Sequence, residues 1–113
     1  MPLDPLPPRP EPQPIEPGKL MKTARQVAAG VRSTGVTLNR NGSLTVDLHD
    51  ISDTAERMFG EREYERLCTV PKKHAARLAA ALLYERFWGD LKAVDNFKAF
   101  CDAYGIPADI QSW

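Results

Sequence analysis

Asp47, His49, Asp50 and Asp53 stand within one short stretch, the first place to look for a metal or an acid–base pair. Asp47 and His49 are i, i+2, so on a strand both side chains leave the same face and could present two ligands. A divalent site takes three or four converging ligands at a recognisable spacing. Two on the solvent face of a hairpin read as the polar side of a strand, so Asp47 and His49 are only weak metal candidates. Cys68 and Cys101 could pair with His49 or His74 as a thiol nucleophile, and such pairs meet in space rather than in sequence. Neither cysteine has the glycine-rich or helix-start setting that lowers a thiol pKa. Both sit in apolar stretches, where free cysteine behaves as a small hydrophobe. Glu61, Glu63 and Glu65 alternate with Arg62 and Arg66, the pattern of a charged strand edge. There is no phosphate loop, nucleophile elbow or dinucleotide fingerprint. No residue is assigned a catalytic role, and no cofactor is expected.

The longest helical pattern offers a different kind of chemistry. Over Pro71–Trp88, Ala75, Leu78, Ala79, Leu82 and Leu83 cluster on one side of the wheel and are expected to face a sheet. The opposite side carries Lys73, Arg77, Ala80, Ala81, Tyr84 and Trp88. Aromatics beside arginine are the composition of binding hot spots, so Lys73, Arg77, Tyr84 and Trp88 are the partner-binding candidates. The competing expectation is that the last helix, tied on by the short Gly89–Asp90 connection, folds back and covers Tyr84 and Trp88. Two helices so joined could also be a helix-turn-helix. The reading helix would then carry Lys92 and Lys98 against Asp95 and Asp102, a neutral surface ill-suited to DNA.

Charge points the same way. Fifteen basic residues balance fifteen acidic ones, whereas nucleic-acid binders draw their affinity from excess Lys and Arg. A basic patch could still form if Lys22, Arg25, Lys73 and Arg77 merged, which keeps weak nucleic-acid binding as an alternative. Neutrality also gives little repulsion between copies. No apolar run approaches a membrane span or a signal segment; no membrane role is expected, and a cytoplasmic location is the expectation.

These residues need elements to hold them. Eight of the ten prolines fall in Met1–Gly18, a segment that can join neither a helix nor a central strand. Residues 1–18 are therefore expected to form a Pro-rich disordered tail, read as a spacer rather than a groove ligand, and residues 19–113 a single α+β domain. Leu20, Ala24, Val27 and Val31 recur at helical spacing and predict a first helix over Lys19–Arg32. Val36–His49 reads as a hairpin whose loop is decided by parity. A two-residue Asn41–Gly42 turn would separate Val36 and Leu38 from Leu44, Val46 and Leu48. A three-residue loop pairs Leu38 with Leu44 and Val36 with Val46 and gathers all five on one face, which predicts a type I turn with Gly42 left-handed. A short helix capped by Ser52 or Asp53 ends at Gly60. A third strand spans Glu63–Val70, with Tyr64, Cys68 and Val70 on one face and Leu67 on the other. The long helix follows, then Leu91–Tyr104 capped by Asp90 and stopped by Gly105, with Val94, Phe97, Phe100, Cys101 and Tyr104 as its apolar stripe. The expected fold is α+β: a small antiparallel sheet of three strands, with a possible fourth at the C-terminus, packed on helices in the order α-β-β-(α)-β-α-α.

Glu63-Tyr64-Glu65 leading to Thr69-Val70-Pro71, with Gly105-Ile106-Pro107 and a terminal Ser112-Trp113, resembles a pattern in small bacterial single-domain proteins. In these a tyrosine-bearing strand enters a helix through a Val-Pro step. The resemblance covers about residues 44–113 and implies a fold, with no activity attached to it. The functional expectation is a small non-catalytic bacterial protein-binding module, with an unknown protein partner or a second copy of itself. Immunity, antitoxin and phage-type inhibitor roles suit a chain of this size. The alternatives are a metal-dependent or thiol enzyme or accessory using the Asp47/His49 region or Cys68, and the weak nucleic-acid binder named above.

Overall fold

Asn39 to Ser43 form the turn on which the sheet is built. The Gly42 amide donates to the Asn39 carbonyl at 2.9 Å and the Asn39 amide to the Ser43 carbonyl at 2.9 Å. The loop is thus Arg40–Gly42, with Gly42 at φ +87°, the left-handed conformation that glycine adopts without penalty. Leu38 pairs with Leu44 and Val36 with Val46, the register that face parity requires. Asn41 Oδ1 accepts from the Ser43 amide (2.9 Å) and hydroxyl (2.6 Å). Asn39 Nδ2 donates to the hydroxyls of Ser43 and Thr45, and Thr45 bonds Thr69 at 2.9 Å. Ser43 and Thr45 are buried, and this chain of partners satisfies them.

The computed structural model describes residues 8–27, 30–52, 56–58, 60 and 63–113. Its sheet is a four-stranded antiparallel meander: β1 (Gly18–Val27), β2 (Gly30–Leu38), β3 (Leu44–Ser52) and β4 (Glu63–Val70). The α+β class is as expected, but the first element is not. Lys19–Arg32, predicted helical, supplies β1 and the start of β2, so the fourth strand is N-terminal. The C-terminal residues 106–113 form no strand. The helical spacing of Leu20, Ala24, Val27 and Val31 is outweighed by the β-branched run through Val31, Thr34, Val36 and Thr37 and by Gly30 and Gly35, which weaken a helix. Glu56–Met58 is helical, and the Gly60 amide bonds the Glu56 carbonyl at 2.9 Å. The expected cap at Asp53 lies outside the described residues.

Pairing gives the sheet two chemically distinct faces. Met21, Val36, Leu38, Leu44, Val46, Leu48, Cys68 and Val70 share one face, with Leu67 on the other as expected. The second face carries Lys19, Lys22, Asp47, His49, Glu63 and Glu65 together with the exposed Val31, Ile51 and Leu67. Gly35 lies beneath the Lys19–Asp47 ion pair: a Cβ there would come within 2.9 Å of Asp47 Oδ2 and 3.0 Å of Lys19 Nζ and the Met21 carbonyl oxygen. An interior strand glycine here marks a close approach. The register of β1 shifts between Lys19 and Met21, a bulge of the kind that blunts an edge strand.

After Val70, Pro71 precedes a 3-10 turn at Lys72–His74, and then come α1 (Ala75–Phe87) and α2 (Ala93–Ala103). The long helix therefore starts later than predicted. The larger correction concerns packing. No residue of α1 is buried, and the close backbone contacts are concentrated between neighbouring strands. The Leu78/Leu82 stripe, expected against the sheet, leaves Leu82 60% exposed, and Val46 on the apolar sheet face is 56% exposed. The chain is elongated, 62 × 33 × 25 Å.

α2 ends in a Schellman motif, with the Ile106 amide on the Cys101 carbonyl (2.9 Å), the Gly105 amide on Asp102 (3.3 Å) and Gly105 at φ +66°. The Pro-rich segment comes against this end. The Ile15 amide donates to the Tyr104 carbonyl at 3.1 Å, and Pro14 sits where a Gly105 Cβ would meet it at 3.2 Å.

Gly42→Val should destabilise the fold more than Asn41→Ala. A branched residue in the left-handed region costs about 1–2 kcal/mol, and a Cβ at Gly42 would also come within 2.9 Å of the Lys72 side chain. Loss of the Asn41 acceptor should cost about 1 kcal/mol. Urea melts of both variants measure the order, and equal losses would contradict it.

Candidate functional site

The polar groups on the sheet are already spoken for. Asp47 Oδ2 takes a bond from Lys19 Nζ at 3.3 Å, and His49 Nε2 meets Glu63 Oε1 at 2.6 Å. The two lie on one face, as their i, i+2 spacing requires, but Asp47 is turned across β2 to Lys19 of β1 and His49 to Glu63 of β4. Among the described residues no group of three or more His, Cys, Asp or Glu side chains converges to hold a metal. Asp53 lies outside those residues. Cys68 is exposed on the apolar face, on the other side of the sheet from His49, and Cys101 is buried in α2. The expectation of two core thiols therefore holds for Cys101 and not for Cys68.

Asp50 is different. It lies on the same face as Val46 and Leu48, 5% exposed, and Oδ2 accepts from Arg32 Nη2 at 2.9 Å and Nε at 3.3 Å. Arg25 pairs opposite Arg32, and Tyr64 opposite Asp50, so the four form one row across the sheet. Sequence reading missed this row because it placed Arg25 and Arg32 on a helix; strand parity is the signal that finds it. Parity also sends Lys22 and Arg25 to opposite faces, because Lys22 pairs with Gly35 and Arg25 with Arg32.

The helices carry the remaining candidates. Lys73 and Arg77 are exposed. Tyr84 and Trp88 are 61% and 75% exposed, and their rings meet at 5.1 Å between centroids, tilted 49°. α2 does not fold over them. It reaches α1 through Phe97, edge-on to Phe87 at 5.9 Å. Between the helices runs an open apolar groove of about 540 Å³, lined among others by Leu83, Tyr84, Phe87, Trp88, Val94 and Phe97. Sequence reading assigned Leu83 to the sheet side and Val94 and Phe97 to a buried stripe, and so did not see that they share a groove with Tyr84.

Asp90 fixes the entry into α2. It does not cap α2 directly, since the helix begins at Ala93 with Lys92 at the cap position. Instead Oδ1 accepts from the Lys92 amide at 2.8 Å and Oδ2 from Asn96 Nδ2 at 2.9 Å, a local Asx turn that fixes the first turn of α2. These bonds, from Asn96 first and the Lys92 amide second, hold the Asp90 carboxyl below its usual range. No protein-family model, curated protein or solved structure matches this chain.

Asp50→Ala should cost roughly 1–3 kcal/mol, the worth of hydrogen bonds to a charged group whose arginine partner stays half-exposed. Asp47→Ala should cost about 1 kcal/mol or less. Denaturant melts compare them, and a costlier Asp47→Ala would overturn the assignment. Asp90→Ala should lower the melting temperature at neutral pH. The folded-state pKa of Asp90 is depressed, so its contribution is present above the unfolded value and is lost as pH falls through the folded one. The difference between wild type and variant should therefore shrink below about pH 4, measured by melts across pH. A constant difference would show that the charge plays no part.

Proposed function

We propose that this chain is a non-catalytic protein-binding module, and that Lys73, Arg77, Tyr84 and Trp88 form its contact face. The observation that carries this reading is the exposed Tyr84–Trp88 pair at the mouth of an apolar groove. Large aromatics are normally withdrawn from water unless they meet a partner. Lys73 and Arg77 continue the same stripe toward the start of the helix and add charge that steers an acidic surface to it. An open, shallow groove suits a protein ligand better than an enclosed small molecule. Immunity, antitoxin or inhibitor roles are the kinds of work such a face does, by occupying a partner rather than by transforming it.

Tyr84→Ala and Trp88→Ala should each weaken capture of the partner by roughly 1–3 kcal/mol, and change stability by no more than about 0.5 kcal/mol. The check is quantitative pull-down from host lysate beside a denaturation series. A large stability loss with unchanged capture would overturn the reading.

A further inference from the structure

The chain exposes 9447 Å², where a compact protein of its mass exposes roughly 6200 Å². Its radius of gyration is 18.0 Å, against about 13 Å for a compact chain of this length. The extended Pro-rich segment accounts for part of the excess. Among the exposed apolar side chains are those of the sheet face bearing Met21, Val46 and Cys68, and Leu82 on α1. The excess of roughly 3200 Å² per chain, less the share of the Pro-rich segment, leaves room for the roughly 1000–2500 Å² that each partner of a permanent homodimer buries.

We propose that a second copy of this chain covers both surfaces by reciprocal exchange, the leucine stripe of α1 in each copy lying on the apolar sheet face of the other. Three observations favour this occupant. The two surfaces are the complementary halves of a helix-on-sheet layer, the arrangement that buries the apolar stripe of a helix against an apolar sheet face. They lie on one chain, so a two-fold axis satisfies both at once and closes the assembly. Only Pro71–His74 separates β4 from α1, and a short hinge beside a proline favours exchange between copies over folding back. The balanced charge leaves no net repulsion to oppose the pairing. Sheet-on-sheet pairing of the same faces would leave the leucines of α1 bare. The exchanged surface does not include Tyr84 and Trp88, so it stands independently of the partner face proposed above.

Light scattering and sedimentation of the full chain should show a dimer. Val46→Lys and Leu82→Lys alter exposed side chains and should leave far-UV circular dichroism intact, while each weakens dimerisation at least about tenfold. Tyr84→Ala should leave the dimer unchanged. The decisive step is to mix the two lysine variants. In a reciprocal exchange the mixed dimer keeps one intact contact, the unaltered sheet of one variant with the unaltered helix of the other, so association returns in part. A wild-type chain that stays monomeric overturns the proposal. So does weakening by Val46→Lys alone, which indicates sheet-on-sheet pairing, and so does mixing without recovery.

Discussion

The register between β2 and β3 is the constraint on which the remaining structure depends. Side chains alternate along a strand, so a slip of one residue would exchange the two faces of the sheet. The three-residue loop closed by the left-handed Gly42 excludes that slip, and β1 and β4 then inherit their faces by pairing outward. The loop is itself held by Asn39, Asn41, Ser43 and Thr45, whose mutual hydrogen bonds carry on to Thr69 of β4. One turn thereby determines that Val46 and Cys68 share an apolar face, and that Asp47 and His49 share the polar one.

Those residues were readable because the hairpin is a local device, in which parity over a dozen residues leaves one consistent answer. The strand at Glu63–Val70 and the Gly105 stop were readable for the same reason. The first strand was not. Its apolar residues satisfy helical spacing as well as they satisfy a strand, and the arbiter is pairing with β2, which no local window contains. With β1 read as a helix, the Arg25–Arg32–Asp50–Tyr64 row could not be assembled either. The aromatic stripe on α1 was readable as a stripe. Its exposure was not, because that depends on where α2 goes, and Asp90 and the Phe87–Phe97 contact decide the path of α2.

Asp50 shows how a polar group is tolerated on the apolar face. A buried carboxylate is costly unless it is paired and hydrogen-bonded, and here the neighbouring strand supplies an arginine at hydrogen-bond distance. The row lies at the opposite end of the sheet from the Asn39–Ser43 turn, so the face divides into an apolar part near the turn and a charged part beyond Leu48. Such a division gives a covering element an orientation as well as a place to bind.

The helical part of the chain poses the remaining energetic question. α1 has thirteen residues and no buried side chain, and an isolated helix of this length is marginal in water. Its alanines and leucines favour helix intrinsically, but most helical stability in proteins comes from packing an apolar face. Among the described residues the ring contact that joins α1 to α2 is Phe87 against Phe97. On the two proposals above, further stabilisation comes from a second copy on the leucine stripe and from a partner on the Tyr84–Trp88 stripe. The two stripes lie on opposite sides of one helix, so occupation of either would firm the backbone that presents the other.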